Sequence, residues 1–399
     1  MQLTNRQIFQ QHLATPAKLL NPLEIVKAEG IYIFDDTGKK YIDLVSGVSV
    51  SNVGHVHPKV VKAVKDQLDK YMHLMVYGKY IQSPQVLLTQ KLVDKLPDSL
   101  NSVYFVNSGS EAIEGALKLA KRITGRTQII AFNNAYHGST HGALSVLGNE
   151  EMKNAFRPLL PGVDFYKFSN NEVIEGITSR TACIIMEPIQ TEAGIIIPDI
   201  EWLIAIRQKC DETGTMLIFD EVQLGFGRSG KLFAFENFNI IPDILCLAKA
   251  MGAGMPIGAF ISSSANMNLL THNPALGHIT TFGGHPVSCA AALAGFAVIT
   301  DEELHLKANQ KGKLFVDLLT DQPSIKEIRQ MGLMLGVEIV SPYTVSDLIS
   351  IFLKNGLIVD QFLFNETSFR IAPPLTITED EIKLIASKII ISLQEMCDN

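Results

Sequence analysis

The sequence predicts an α/β protein, because short apolar runs alternate with helix-length segments through the middle of the chain. Each run has the length of a strand that is buried on both faces, as in a parallel sheet. Between the runs, 111–125 and 199–214 have helical periodicity, and each ends at a glycine that can stop a helix. The six runs are SVYFVNSG (102–109), TQIIAF (127–132), TACIIMEP (181–188), TMLIFDEV (215–222), DILCLAK (243–249) and PIGAFISS (256–263).

The two ends of the chain have a different pattern. Residues 30–47 contain two alternating runs around a DDTG turn, which predicts a β-hairpin. Towards the C-terminus, 332–340 is typical of a strand and 378–396 of an amphipathic helix. We therefore expect an N-terminal segment (1–52) packed on a smaller α+β domain (291–399), and a large α/β domain between them (53–290).

Composition narrows the class of protein. With 399 residues, 47% of them hydrophobic, and a net charge of −7, the chain is long and apolar enough to fold around a large core. No stripe of Lys and Arg suggests a nucleic-acid partner, and no apolar window is long enough to span a membrane. The five cysteines are far apart and the N-terminus has no signal-peptide core, so we expect a cytoplasmic protein.

A glycine-rich segment, GFGRSG (225–230), satisfies the GxGxxG pattern of dinucleotide-binding proteins. That pattern should open a helix directly after a strand, and an acidic residue should follow about 20 residues later. Neither feature is present, so we interpret the segment as a loop. Two histidine pairs, His55 with His57 and His137 with His141, have no third ligand nearby, and we expect no metal site.

Three polar segments follow predicted strands, where open α/β sheets place their ligands. NSGSEA (107–112) leads into a helix, whose N-terminus can bind an anion, although Ser108 or Ser110 can equally be a simple helix cap. Asp220 and Lys249 each end an apolar run, and each alone can be a solvated strand end. Together with Tyr136, these groups supply an amine, a carboxylate, a phosphate site and an aromatic face, which an aldehyde cofactor with a pyridine ring and a phosphate needs.

At this point the sequence resembles the class III aminotransferases, a branch of the fold type I pyridoxal-phosphate enzymes. The resemblance covers nearly the whole chain and implies a large domain with a mostly parallel seven-stranded sheet flanked by helices, plus a smaller α+β domain. The motifs that carry it, in family order, are GHVHP (54–58), NSGSEA (107–112), YHGST (136–140), EPIQTEAG (187–194), FDEVQLGFGRSG (219–230), LAKAMGAGMPIGA (247–259), TTFGGHP (280–286) and RIAPPL (370–375).

The resemblance also implies roles for single residues toward pyridoxal 5′-phosphate. Lys249 would bond the cofactor aldehyde and shuttle the proton, and Asp220 would pair with the pyridine nitrogen. Gln223 would contact the ring hydroxyl and Tyr136 would stack on the ring. The remaining members of the implied cofactor site are Ser108, Gly109, Ser110, His137, Glu187 and Thr281, of which Gly109 and Ser110 would hold the phosphate and Thr281 would reach the partner subunit's site.

Two further matches concern the substrates. Arg370 matches an arginine that clamps a substrate carboxylate, and Glu192 matches a glutamate that covers this arginine in ornithine-type members. The chain departs from the family at Ser139, where an arginine often contacts the donor carboxylate. It departs again at His285, where the family has asparagine.

The resemblance therefore implies a homodimeric aminotransferase with active sites at the subunit interface. It would move the ω-amine of an ornithine- or acetylornithine-like donor to 2-oxoglutarate by a ping-pong mechanism. Two alternatives remain open. One is an ω-amino acid, 4-aminobutyrate or amine:pyruvate transaminase, and the other is an aminomutase, racemase or decarboxylase on the same scaffold.

Overall fold

The computed structural model describes residues 3–17 and 22–398. Its strands in chain order are β1 (Ile25–Glu29), β2 (Tyr32–Asp35), β3 (Lys40–Asp43), β4 (Ser102–Val106), β5 (Gln128–Phe132), β6 (Val163–Tyr166), β7 (Thr181–Met186), β8 (Met216–Asp220), β9 (Ile244–Leu247), β10 (Gly258–Ser262), β11 (Ile325–Met331), β12 (Met334–Ile339), β13 (Leu357–Ile358), β14 (Gln361–Phe362) and β15 (Asn365–Ile371). Its α-helices are α1 (Asn5–His12), α2 (Ser46–Ser49), α3 (Pro58–Leu68), α4 (Ser83–Val93), α5 (Gly109–Thr124), α6 (His141–Ser145), α7 (Glu150–Lys153), α8 (Glu172–Gly176), α9 (Ile200–Thr213), α10 (Ser264–Asn268), α11 (Pro286–Asp301), α12 (Leu304–Leu319), α13 (Val345–Lys354) and α14 (Glu379–Asp398).

A seven-stranded sheet in the order β4-β10-β9-β8-β7-β5-β6 forms the centre of the protein. Five neighbouring strands, from β9 to β6, pair in parallel, whereas β10 is antiparallel to both β4 and β9. The predicted α/β class and the mostly parallel sheet are confirmed. The six predicted apolar runs contain six of these strands, and the seventh, β6, is a half-buried edge strand without a continuous apolar run.

Helices cover both faces of this sheet. Alternate residues of β7 show the division: Cys183 and Ile185 pack in the core under α5, and Ile184 and Met186 pack in the core on the α9 side. Both helices end at a glycine in the left-handed region, Gly125 with φ of 68° and Gly214 with φ of 66°. The predicted glycine stops are therefore confirmed.

Two smaller sheets lie outside the central one. The hairpin predicted near the N-terminus is present as β2 and β3, and β3 also pairs in parallel with β13, so that Ile42 lies opposite Leu357. The other sheet has the order β11-β12-β15-β14. The N-terminal strands thus share a sheet with residues near the C-terminus. The boundaries at residues 52 and 290 stay a prediction.

The arginine of the GFGRSG segment is a structural residue. Arg228 is fully buried, and its guanidinium donates to the carbonyl oxygens of Leu333 and Pro373, at 2.8 and 2.6 Å, and to Asn52 Oδ1 at 2.6 Å. Burial lowers the pKa of Arg228 to about 9. The segment is therefore a loop that joins three distant parts of the chain, as its interpretation from the sequence requires.

Two further features concern the chain as a whole. The five cysteines are free, four of them buried and Cys397 exposed. No helix within 3–17 or 22–398 is long and apolar enough to cross a membrane.

The contact between α5 and β10 provides a test of the packing. A Cβ at Gly115 would overlap the ring of Phe260, so Gly115→Ala forces this ring to move. We expect a net loss of roughly 1–2 kcal/mol in the free energy of unfolding, because overpacking outweighs the better helix propensity of alanine. Urea denaturation measures the loss. Phe260→Leu in the same background should recover part of it, and a Gly115→Ala protein as stable as the wild type would contradict the packing described.

Candidate active site

A cavity of about 440 Å³ lies at the carboxyl ends of the parallel strands. It brings together ten of the residues singled out in the sequence, which are Ser108, Gly109, Ser110, Tyr136, His137, Glu187, Glu192, Asp220, Gln223 and Lys249. Other residues of the lining were not singled out: Thr191, Val222 and Met255 lie within the quoted motifs but had no role of their own, and Val50 lies outside those motifs. A single apolar residue such as Val50 follows no recognisable pattern, so only the fold identifies it as part of the lining.

The amine and the carboxylate reach this cavity from adjacent strands. Asp220 ends β8, and it lies opposite Cys246 of β9 in a parallel pair, so Lys249 leaves β9 at the same edge. The backbone of Lys249 is in the left-handed region, with φ of 48°, which is unfavourable for a residue with a side chain. Burial lowers the pKa of Lys249, while Glu192 is the strongest of the charges that oppose this shift.

Asp220 is buried and held from two sides. Its Oδ1 accepts a hydrogen bond from the backbone N–H of Val222 at 3.0 Å, and its Oδ2 lies 2.7 Å from His137 Nδ1. Because an ionised carboxylate only accepts hydrogen bonds, Nδ1 is the donor. His137 Nε2 is buried without a hydrogen-bond partner in the described part of the chain. The carboxylate is thus fixed by a histidine that lies 83 residues earlier in the sequence.

The N-terminus of α5 forms another part of the wall. Ser108 is its N-cap and accepts a hydrogen bond from the N–H of Glu111 at 3.2 Å. Ser108 is thus the helix cap that was one of the two interpretations of NSGSEA. A Cβ at Gly109 would lie 2.8 Å from Val222 Cγ1, and one at Gly138 would overlap Ser110 Oγ. Only glycine permits this close approach of three chain segments around a helix N-terminus, where an anion is favoured.

Glu187 is a buried carboxyl group beside Asp220. Its Oε2 accepts hydrogen bonds from the backbone N–H and the hydroxyl of Thr191, whereas its Oε1 has no partner among residues 3–17 and 22–398. Burial raises the pKa of Glu187 to about 7, against the lowering effect of His137. The raised pKa favours the protonated form of Glu187, which reduces the negative charge in this part of the cavity.

Glu192 and Arg370 form a buried ion pair at the edge of the cavity. Glu192 Oε1 lies 2.7 Å from Arg370 Nη2 and also accepts a hydrogen bond from Gln223 Nε2 at 3.1 Å. Arg370 Nε and Nη1 are buried without a partner in the described chain, and the guanidinium lies 4.8 Å from the centre of the Phe362 ring. Arg370 thus keeps unused donors for a further carboxylate.

Among the residues that the structure describes, Thr281 is the one predicted cofactor residue that does not line this cavity. It is exposed, and its Oγ1 lies 3.5 Å from Tyr77 Oη. The neighbouring Thr280 is anchored, because its Oγ1 accepts a hydrogen bond from Asn107 Nδ2 at 2.7 Å. The predicted role of Thr281 needs a second subunit and stays a prediction.

The two departures from the family motifs have local explanations. His285 is the N-cap of α11: its Nδ1 accepts a hydrogen bond from the N–H of Val287 at 3.3 Å, and its ring stacks on His73. Histidine therefore performs the capping for which asparagine is also suited. Ser139 Oγ lies 3.2 Å from Tyr136 Oη, so an uncharged hydroxyl stands where an arginine would bring a cation.

The chain is similar in sequence and in structure to known proteins. Residues 14–393 match the model of the family described as aminotransferase class-III. The acetylornithine aminotransferase of Methanopyrus kandleri is 39% identical over 378 residues, covering 94% of this chain and 95% of that protein. The ornithine aminotransferase of Toxoplasma gondii has a similar structure, with a TM-score of 0.90, 29% identity and coverage of 99% and 96%. An amine transaminase from an uncultivated Pseudomonas species, in its PLP-bound form, is similar with a TM-score of 0.88 and 28% identity, over 97% of this chain and 98% of that chain.

The raised pKa of Glu187 leads to a test of the cavity's electrostatics. A carboxyl group whose pKa rises on folding, here from 4.5 to about 7, stabilises the fold when protonated. Its contribution is present below pH 4.5 and is lost as the pH rises through about 7. Glu187→Gln cannot ionise, so relative to the wild type it should gain up to about 3 kcal/mol between pH 5 and pH 8.

Urea denaturation at a series of pH values measures this difference. Glu201→Gln, at an exposed carboxylate of α9, is the matched control and should follow the wild type at every pH. A constant difference between Glu187→Gln and the wild type would show that Glu187 does not titrate in this range.

Proposed function

The chain belongs to the class-III aminotransferases, whose cofactor is pyridoxal 5′-phosphate, and from this premise we propose that it moves the ω-amine of an ornithine- or acetylornithine-like donor to 2-oxoglutarate. The buried ion pair between Glu192 and Arg370 is the observation that carries this proposal. The similarity to acetylornithine and ornithine aminotransferases supports it.

The residues of the cavity fit the cofactor. The N-terminus of α5 offers backbone N–H groups and the Ser110 hydroxyl to the phosphate, and the close approach at Gly109 and Gly138 leaves room for it. Tyr136 and Val222 offer apolar surface to the ring, and Gln223 offers an amide to its hydroxyl. When bound, the cofactor draws electrons from the substrate carbon that carries the amine.

Lys249 and Asp220 would perform the central chemistry. Lys249 is the amine to which the aldehyde would be attached, and its lowered pKa favours the uncharged form that can accept a proton from the substrate carbon at Nζ. Asp220 is held by His137 and by the N–H of Val222, so its carboxylate is oriented to keep the pyridine nitrogen protonated. His137 would thus be a positioning residue.

The ion pair distinguishes the two substrates. An arginine that is neutralised by Glu192 does not attract a carboxylate next to the reacting amine, so a donor with a distant carboxylate is preferred. The acceptor 2-oxoglutarate carries a carboxylate next to its keto group, and Arg370 can bind it once Glu192 gives way. Because one cavity takes both substrates in turn, we propose a ping-pong mechanism.

A second candidate is an ω-amino acid or amine:pyruvate transaminase. The observation that favours it is Ser139, an uncharged residue where a cation would bind the carboxylate of an ornithine-like donor. The structural similarity to an amine transaminase supports the same candidate.

We also propose that the enzyme is a cytoplasmic homodimer. Exposed apolar side chains are concentrated between residues 72 and 81 and in the segment that precedes α11, including Met72, Ile81, Leu276 and Phe282. Such a surface is typical of a protein interface. A second subunit on this surface would bring Thr281 towards the partner's cavity.

The nature of the donor can be tested with a panel of amines. Ornithine, acetylornithine, 4-aminobutyrate, lysine and β-alanine, and glutamate as an α-amino acid without a distal amine, are each mixed with the holoenzyme. The conversion of the pyridoxal to the pyridoxamine form is followed by absorbance. We expect conversion with ornithine or acetylornithine, followed by transfer to 2-oxoglutarate. Reaction only with α-amino acids that have no distal amine would refute the ω-amine proposal, and transfer to pyruvate alone would favour the second candidate.

The role of Lys249 can be tested separately. Lys249→Ala should lower turnover by at least about 10³-fold, because it removes both the attachment point and the proton acceptor. It should also remove the absorbance band of the lysine-bound cofactor. Lys209→Ala, at a surface position on α9, is the control and should retain full activity. Retained turnover in Lys249→Ala would contradict the assignment.

A further inference from the structure

We propose that Arg329 is a positioning residue for the ion pair. It fixes the loop 192–194 on the β11-β12-β15-β14 sheet, here called the outer sheet, and so keeps Glu192 over Arg370. This contact would set the preference for amines distant from a carboxylate. Arg329 lies on β11, outside the cavity lining, and no sequence motif pointed to it. The inference deepens the proposed function and rests on it.

The three backbone carbonyl oxygens of the loop 192–194 are bound from the outer sheet, while the N–H of Gly194 stays within the loop by donating to the carbonyl oxygen of Thr191. Arg329 Nε donates to the carbonyl oxygen of Gly194 at 2.6 Å, and Asn365 Nδ2 reaches that of Ala193 at 3.4 Å. The N–H of Phe364 donates to the carbonyl oxygen of Glu192 at 3.0 Å. Each of the three residues therefore has its carbonyl oxygen bound to the sheet that carries Arg370.

The side chain of Glu192 is held by the same sheet. The N–H of Leu363 donates to Glu192 Oε2 at 3.1 Å, while Arg370 binds Oε1. Leu363 and Phe364 form the turn between β14 and β15, and Arg370 lies on β15. One hairpin thus supplies the arginine and holds the glutamate that covers it, so the separation of the two charges depends on how the loop docks on the sheet.

Arg329 has a geometry that suits this docking. It is 14% exposed, its Nη1 lies 2.6 Å from Glu338 Oε2 and also contacts Glu327, and its Nη2 donates to Ser368 Oγ at 2.8 Å. Two carboxylates and a hydroxyl orient the guanidinium, which leaves Nε for Gly194. A Cβ at Gly194 would lie 3.1 Å from Arg329 Nη2 and 2.8 Å from Asn365 Nδ2, so the close contact of loop and sheet needs glycine there.

The docking of the loop 192–194 on the outer sheet affects the two types of substrate in opposite directions. If the loop moves away from the sheet, Glu192 covers Arg370 less well and the guanidinium becomes more available. Substrates with a carboxylate beside the reacting carbon then bind better, and the advantage of the ω-amine donor decreases. A residue with a purely structural role would instead weaken both half-reactions together.

The test uses Arg329→Gln holoenzyme and two rate constants. The half-reaction is measured with the best ω-amine donor of the panel and with glutamate, whose amine is next to a carboxylate. We define the ratio as kcat/KM for the ω-amine donor divided by kcat/KM for glutamate. We expect this ratio to fall about tenfold relative to the wild type, and the KM for 2-oxoglutarate to fall as well. Lys326→Gln is the matched control, because Lys326 lies on the same strand and binds the same Glu338 without reaching the loop. It should leave the ratio unchanged.

The outcomes separate this inference from the proposed function. An unchanged ratio in Arg329→Gln, or an equal fall of both kcat/KM values, overturns the role of Arg329. The proposed role of the Glu192–Arg370 pair in substrate preference is not affected by either result. Glu192→Gln serves as the reference: if it leaves the ratio unchanged, the proposed function is refuted and the role of Arg329 with it. Should Arg329→Gln fail to fold, Arg329→Lys retains the charge beside Glu338 but cannot bind Glu338, Ser368 and Gly194 together, and the same shift is expected.

Discussion

The parallel pairing of β8 with β9 brings a carboxylate and an amine to one edge of the sheet, and the chemistry of the cavity depends on this arrangement. Neither group is favourable there alone, since burial disfavours the charged form of both lysine and aspartate. The surrounding residues offset this cost differently for each. Asp220 receives two hydrogen bonds, whereas Lys249 has its pKa lowered, so that a larger fraction of its amine is uncharged.

The net charge of −7 does not prevent the protein from binding anionic ligands, because binding is decided by local groups. The N-terminus of α5 offers its N–H groups, and Arg370 has two donor atoms without a partner in the described chain. The raised pKa of Glu187 reduces the negative charge beside Asp220. The cavity can therefore accept a phosphate and a carboxylate in an acidic protein.

The elements that the sequence predicts are those whose pattern lies within a few neighbouring residues. Apolar runs identified six of the seven central strands, and glycines marked the ends of two helices, since both signals lie within a few residues. The edge strand β6 was missed because its sequence, VDFY, is short and is interrupted by Asp164, so it forms no apolar run. The contact of His137 with Asp220 spans 83 residues and that of Arg329 with Gly194 spans 135, so only the fold brings these partners together.

In the proposed function, the ion pair of Glu192 and Arg370 also connects substrate exchange with the amine of Lys249. Under the proposed function an entering carboxylate would take Arg370, and the Glu192 carboxylate would then keep the amide of Gln223 and the N–H of Leu363 as donors. Glu192 is also the charge that most strongly raises the pKa of Lys249 against burial. Any shift of Glu192 away from Lys249 therefore favours the uncharged amine. Under the proposed function, the residue that covers Arg370 would thus also influence the proton acceptor.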